Sequence, residues 1–158
     1  MNISIICVGK LKEDYLKSAI AEYSKRLSRF ATFEITEIQD QKIPDNASKK
    51  TEEMILEKEG DVIISKIKNN SYAIAMCIEG KEISSEELAK EIKNISMTNS
   101  NITFIIGGSL GLSDKVKKKA DKCISFGKIT FPHQLMRVVL SEQIYRAFKI
   151  NANEAYHK

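Results

Sequence analysis

The sequence predicts an α/β fold, a mostly parallel sheet with helices on both faces, and three observations predict it. Apolar runs of strand length alternate with amphipathic stretches of helix length along the whole chain. The runs at 2–8, 72–78 and 101–106 are nearly continuous in apolar residues, the mark of strands covered on both sides. Three strands are followed by glycine, at Gly80, Gly107-Gly108 and Gly127. In open α/β sheets ligands bind beyond the carboxyl ends of the strands, and glycine there lets backbone approach a ligand or simply makes a tight turn.

Residues 2–8 read as a buried first strand. Leu16, Ile20, Tyr23 and Leu27 fall at steps of four, three and four, one face of a helix over 12–29. Phe33, Ile35 and Ile38 mark a second strand, followed by a polar loop from Gln39 to Ser48 with Pro44 and Asn46. A second helix is expected over 49–68, with Gly60 as its weak point. The strand at 72–78 is expected to stop at Glu79-Gly80. Ser84 with Glu87 three residues later forms a capping box for a third helix. The strand at 101–106 stops at Gly107-Gly108, and Ser113 caps a short lysine-rich helix. Residues 123–130 hold the last strand. Pro132 introduces a final helix over about 133–148.

The chain has 158 residues, 42% apolar and 29% charged, so one domain spanning 1–158 with one real core is expected. No apolar run approaches the roughly 20 residues of a membrane span, and the apolar start lacks the basic flank of a signal peptide. A cytoplasmic protein with no membrane association is the expectation. Cys7, Cys77 and Cys123 are an odd set without close spacing, which points to buried, reduced thiols and away from a zinc site. Net charge is +4, yet residues 115–158 carry ten Lys/Arg against three Asp/Glu. That asymmetry suggests a polyanion partner such as RNA. The run Lys117, Lys118, Lys119 and Lys122 by itself reads as a solvated helix face.

Standard nucleotide fingerprints fail. A G-x-G-x-x-G from Gly107 would need glycine at Ser109 and Leu112, and no Gly-Lys-Ser/Thr, H-E-x-x-H or G-x-S-x-G occurs. A nucleotide-like ligand would have to be held mainly by loop backbone.

Longer segments carry more. Ile105-Ile106-Gly107-Gly108-Ser109-Leu110-Gly111-Leu112, Phe131-Pro132-His133-Gln134-Leu135-Met136-Arg137-Val138, Glu142-Gln143-Ile144-Tyr145-Arg146-Ala147 and the terminal Tyr156-His157-Lys158 resemble the large-subunit ribosomal RNA pseudouridine N3-methyltransferases, a family of the SPOUT class. Val8-Gly9-Lys10-Leu11-Lys12 and Ile78-Glu79-Gly80-Lys81 match as well, so the resemblance runs from end to end. It implies a C-terminal trefoil knot, a rare exception to unknotted connections, and an obligate homodimer. It implies S-adenosylmethionine (SAM) as methyl donor, with no metal. It implies 23S rRNA in the assembled ribosome as substrate. By position, the cofactor site carries over to Met76, Gly107 and Phe126, Gly127, Lys128, Ile129, Thr130 and Phe131. Gly107 would leave room for the ribose or methionine part, and Met76 would be an apolar wall or plain core.

A sulfonium methyl is already activated, so the enzyme must align a nucleophile with it. The N3 of pseudouridine is an imide nitrogen, nucleophilic mainly once deprotonated. A base, or a cation beside the anion, is useful. Tyr156, His157, Lys158 and Arg137 are the catalytic candidates. The first three sit on a terminus that either frays or closes over substrate. Arg137 makes a salt bridge within the fold or meets substrate phosphate or the methionine carboxylate. His133 is expected to order the start of the last helix. The family pattern has glycine where Asn153 stands, and Asn tolerates positive φ. The last helix is apolar around much of its girth, which a partner subunit would cover. Other readings are a tRNA methyltransferase, a non-catalytic ribosome-binding factor of the same fold, and a monomeric regulatory module.

Overall fold

The computed structural model describes residues 1–156. Five strands and five helices alternate: β1 (Asn2–Val8), α1 (Asp14–Leu27), β2 (Thr32–Ile38), α2 (Lys49–Lys66), β3 (Ser71–Glu82), α3 (Ser85–Ser96), β4 (Asn101–Ile106), α4 (Asp114–Lys119), β5 (Lys122–Ser125) and α5 (His133–Asn151). The strands form one sheet in the order β2-β1-β4-β3-β5, with every pairing parallel.

The near-continuous apolar strands are buried on both faces as their composition requires. On one face Ile3, Ile5, Ile74, Ile102 and Phe104 meet Leu27 of α1, Leu88 and Ile92 of α3, and Leu140 and Ile144 of α5. On the other, Ile6, Val8, Ala75 and Ile105 meet Ile63 of α2 and Val116 of α4. α1, α2 and α5 begin and end within three residues of the expected bounds. At α3, Ser84 Oγ accepts from Glu87 N while the Glu87 carboxylate accepts from Ser84 N. Asn153 turns the chain at φ 53°, so asparagine fills a left-handed position there.

Three expectations change. β3 does not stop at Gly80 but runs to Glu82, with a register shift between Met76 and Lys81 against β5. A Cβ on Gly80 would lie 2.7 Å from the Ile124 carbonyl carbon, so glycine here permits strand-to-strand approach at a bulge. β5 ends at Ser125 instead of 130, because Ser125 Oγ bonds both Gly127 N and Gly127 O and turns the chain. Gly60 is no mere weak point. A Cβ there would meet Ser113 Oγ at 2.4 Å, so the glycine lets α2 pack on the start of α4. Ser113 occupies the N-cap position of α4, yet its hydroxyl makes no capping bond and is buried without a partner.

Candidate active site

The carboxyl ends of β3, β4 and β5 stop at one edge of the sheet, and the segments that follow enclose a cleft of about 260 Å³, near the low end for small-molecule sites. Met76, Ile106 and Ile124 from the strands, and Met136 from α5, give it apolar lining. Two loops, 107–112 and 125–131, give it backbone. Gly111 (φ +81°) and Gly127 (φ +111°) take conformations that favour glycine, and nothing lies within 4 Å of where their Cβ atoms would be. Bare backbone therefore faces open cleft. This fits a nucleoside-like ligand held by main-chain groups with an apolar wall, the chemistry that an adenosyl-methionine compound requires.

Of the expected cofactor residues, Met76, Gly107, Phe126, Gly127, Ile129, Thr130 and Phe131 all line this cleft, while Lys128 does not. Gly107 has a further reason to be glycine. A Cβ on it would lie 2.2 Å from the Gly111 carbonyl oxygen, so glycine here also lets the loop pass close to itself.

Sequence reasoning missed a charged pair at the cleft. Glu79, within the register break of β3, and Lys117 of α4 both line it and form an ion pair. The hydrogen bond from Lys117 lowers the Glu79 pKa, and the same bond raises that of Lys117. Lys117 is thus a cleft residue and not part of a solvated face, and Lys122 pairs with Glu91 at 2.7 Å. A carboxylate suits ribose hydroxyls and an ammonium suits a carboxylate. The one available signal was Glu79-Gly80 following directly on a buried strand. Cys77, half-buried in the same lining, is pushed up to about 12 by burial and by the neighbouring Cys123 thiol. It stays a thiol and is inert as a nucleophile.

Arg137, a catalytic candidate, is bonded to backbone and to Glu37 within the fold. It is 1% exposed and absent from the cleft lining, and its Nε is buried without a hydrogen-bond partner among the described residues. Nη2 donates to Val8 O (3.0 Å) and Gly9 O (2.7 Å), and Nη1 to Glu37 Oε1 (2.9 Å). It ties the first turn of α5 to the carboxyl ends of β1 and β2. His133, four residues earlier, stands between clefts and not only at a helix start. Burial, then the Arg137 charge, lower its pKa, so the imidazole is neutral near pH 7.

Tyr156 lies on α5. Its ring packs edge-on against Tyr145 at 5.0 Å, the Arg146 guanidinium covers it at 4.7 Å, and its hydroxyl is 3.2 Å from Glu142 Oε1. Burial, and secondarily the Glu142 charge, raise its pKa. Glu142 is six residues beyond Met136, about 9 Å of helix rise from the cleft wall. His157 and Lys158 lie outside the described residues. No helix among the described residues is long and apolar enough to cross a membrane.

This geometry has relatives. A family model described as "Predicted SPOUT methyltransferase" matches residues 1–157. The Ribosomal RNA large subunit methyltransferase H 1 of Clostridium perfringens (strain SM101 / Type A) is 62% identical to this chain, covering 100% of both. The proteins named Ribosomal RNA large subunit methyltransferase H in Clostridium novyi (strain NT) and Streptococcus uberis are 60% and 59% identical, again over 100% of both chains. With a SPOUT methyltransferase model matched over almost its whole length and these relatives 59–62% identical over all of it, the chain belongs to the SPOUT methyltransferase family.

Proposed function

We propose that this chain is a SAM-dependent methyltransferase that methylates N3 of a pseudouridine in 23S rRNA on the assembled ribosome, inside the cell. The observation that carries the reading is the cleft at the ends of β3, β4 and β5, in a chain 62% identical to a large-subunit rRNA methyltransferase. When bound, SAM supplies a methyl group on a sulfonium, already electrophilic. Backbone of 126–131 holds the adenine edge. Met76 forms an apolar wall, and the Glu79–Lys117 pair meets polar groups of the ribose or methionine. The trefoil knot that the family implies is part of this reading. So is a single functional domain over 1–158.

A homodimer completes the site. Ile78 (52% exposed), Ile129 (76%), Phe131 (37%) and Leu135 (37%) leave apolar surface around the cleft, which a second copy would bury. The modest net charge of +4 suits a substrate whose shape is already built, the ribosomal surface. Tyr156, His157 and Lys158 close over the acceptor base. Deleting these three is expected to abolish turnover while SAM affinity stays within about twofold. Retained turnover would remove the tail from the mechanism.

The test is transfer of labelled methyl from SAM to ribosomes from a strain lacking this gene, with naked rRNA and tRNA in parallel. Label on ribosomes, mapped to one pseudouridine of 23S rRNA, is expected. Label on tRNA would move the substrate. No label on any RNA, with SAM bound, would leave a non-catalytic ribosome-binding factor.

A further inference from the structure

The loop 107–112 has a cleft on each side. The second, of about 250 Å³, lies between this loop, the segment after β2, and α2. Asp40, Lys42, Glu59, Gly108, Leu110 and His133 are among its lining, and the last three also line the first cleft. The two spaces therefore share a wall, which sets a ligand in one beside a ligand in the other.

Glu59 is the unusual group. It sits in the middle of α2 and is only 6% exposed. Its Oε1 accepts from Gln41 N at 3.0 Å. Its Oε2 has no hydrogen bond or ion pair among the described residues, and lies 3.8 Å from where a Cβ on Gly108 would be. This oxygen belongs to a residue that lines the second cleft, so a carboxylate lone pair without a protein donor is open to a ligand there. The charged groups around it do not supply a donor. Lys115, reaching α2 from α4, is engaged by Glu57 and Asp61. Lys42 and Asp40 come from the loop after β2 and His133 from α5, and none pairs with Glu59. Burial raises the Glu59 pKa, the Gln41 amide partly offsets this, and the Asp40 charge adds to it.

We propose that the second cleft receives the nucleobase to be methylated, and that Glu59 Oε2 accepts the proton of its imide N–H. The proposal rests on the methyltransferase reading above and names a catalytic group for it. An imide offers one N–H between two carbonyls. The lone acceptor oxygen of Glu59 matches the N–H, and neutral His133, at the junction of the clefts, can donate to a flanking carbonyl. In the step, the N–H bond breaks and its proton goes to Glu59 Oε2. The nitrogen electron pair forms the new N–CH₃ bond, the methyl–sulfur bond breaks, and that electron pair stays on sulfur. Glu59 then releases the proton to solvent. A carboxylate whose basicity is raised by burial is better matched to this task than an exposed one.

Glu59→Gln preserves the shape and can still accept from Gln41 N. Its expected signature is a SAM affinity, measured by calorimetry, within about twofold of wild type, with a single-turnover rate on ribosomes lowered at least about a hundredfold. The acid-side rise of rate with pH in the wild type, which reports Glu59 losing its proton, is expected to vanish in the variant. A variant with the wild-type rate and pH profile would overturn the proposal. Should Glu59→Gln not fold, pseudouridine 5′-monophosphate titrated into the wild-type protein decides. Saturable amide shifts at Gln41, Gly108 and Leu110 support the proposal; shifts elsewhere, or none, refute it. Wild-type protein that transfers methyl to no RNA would instead take away the reading beneath the proposal, and the proposal with it.

Discussion

Two halves of the sheet are built differently. β1 pairs residue for residue with β2 and β4, and β4 with β3 as far as Met76, in unbroken parallel register. A buried line of hydroxyls even crosses three strands, from Ser4 through Thr103 to Ser71. Between β3 and β5 the register breaks after Met76 and resumes at Lys81. The regular half puts Ile3, Ile5, Ile102 and Phe104 at 0% exposure, whereas Ile78 inside the break is 52% exposed. A ladder that satisfies every backbone group has none left for a ligand. The interrupted half frees main chain and opens a cleft, with the regular half as its rigid platform.

The largest expected effect tests the platform. Arg137→Ala removes the tie between α5 and the ends of β1 and β2, at a cost of about 3–5 kcal/mol in urea unfolding. A loss below about 1 kcal/mol would deny Arg137 its structural role. Next comes Gly107→Ala in the interrupted half. A Cβ 2.2 Å from a backbone oxygen cannot be relieved by a side-chain rotation, and about 3 kcal/mol is expected. Wild-type stability would mean that the 107–111 passage is not tight. Ser84→Ala lies away from both clefts and removes half of the capping box. It is expected to cost about 1 kcal/mol with unchanged SAM affinity.

The smallest effect concerns pH. Burial raises the folded-state pKa of Glu59 above its unfolded value, so the native state binds that proton more tightly. The cost of ionising it is absent below the ordinary carboxyl range and complete above the raised pKa. Glu59→Gln and wild type should therefore melt alike near about pH 4, with the variant gaining as pH rises toward about 7. A gain that instead grows on acidification would contradict a raised pKa.

Local features were legible. The three-four spacing of Leu16, Ile20, Tyr23 and Leu27, the capping box at Ser84, and continuous apolar strands each fix an element through neighbours in sequence. The strand-end glycines point to the edge of the sheet where the first cleft lies, and seven residues that the resemblance carries over line it. What escaped depends on distant partners. Gly80 reads as a stop, but its reason is the Ile124 backbone across the sheet. Lys117 reads as solvated until Glu79 arrives from 38 residues away. Arg137 gave no sign of the carbonyls of Val8 and Gly9, which reach it from the other end of the chain. Glu59 offered no signal, because one charged residue in a charged helix looks like any other.

The central claim, that the interrupted half of the sheet holds SAM, is tested most directly by titrating SAM while following backbone amide resonances. Saturable shifts concentrated at 107–111 and 125–131, with α1 and β2 silent, are expected. No saturable shift, or shifts centred on α1 and β2, would contradict the account.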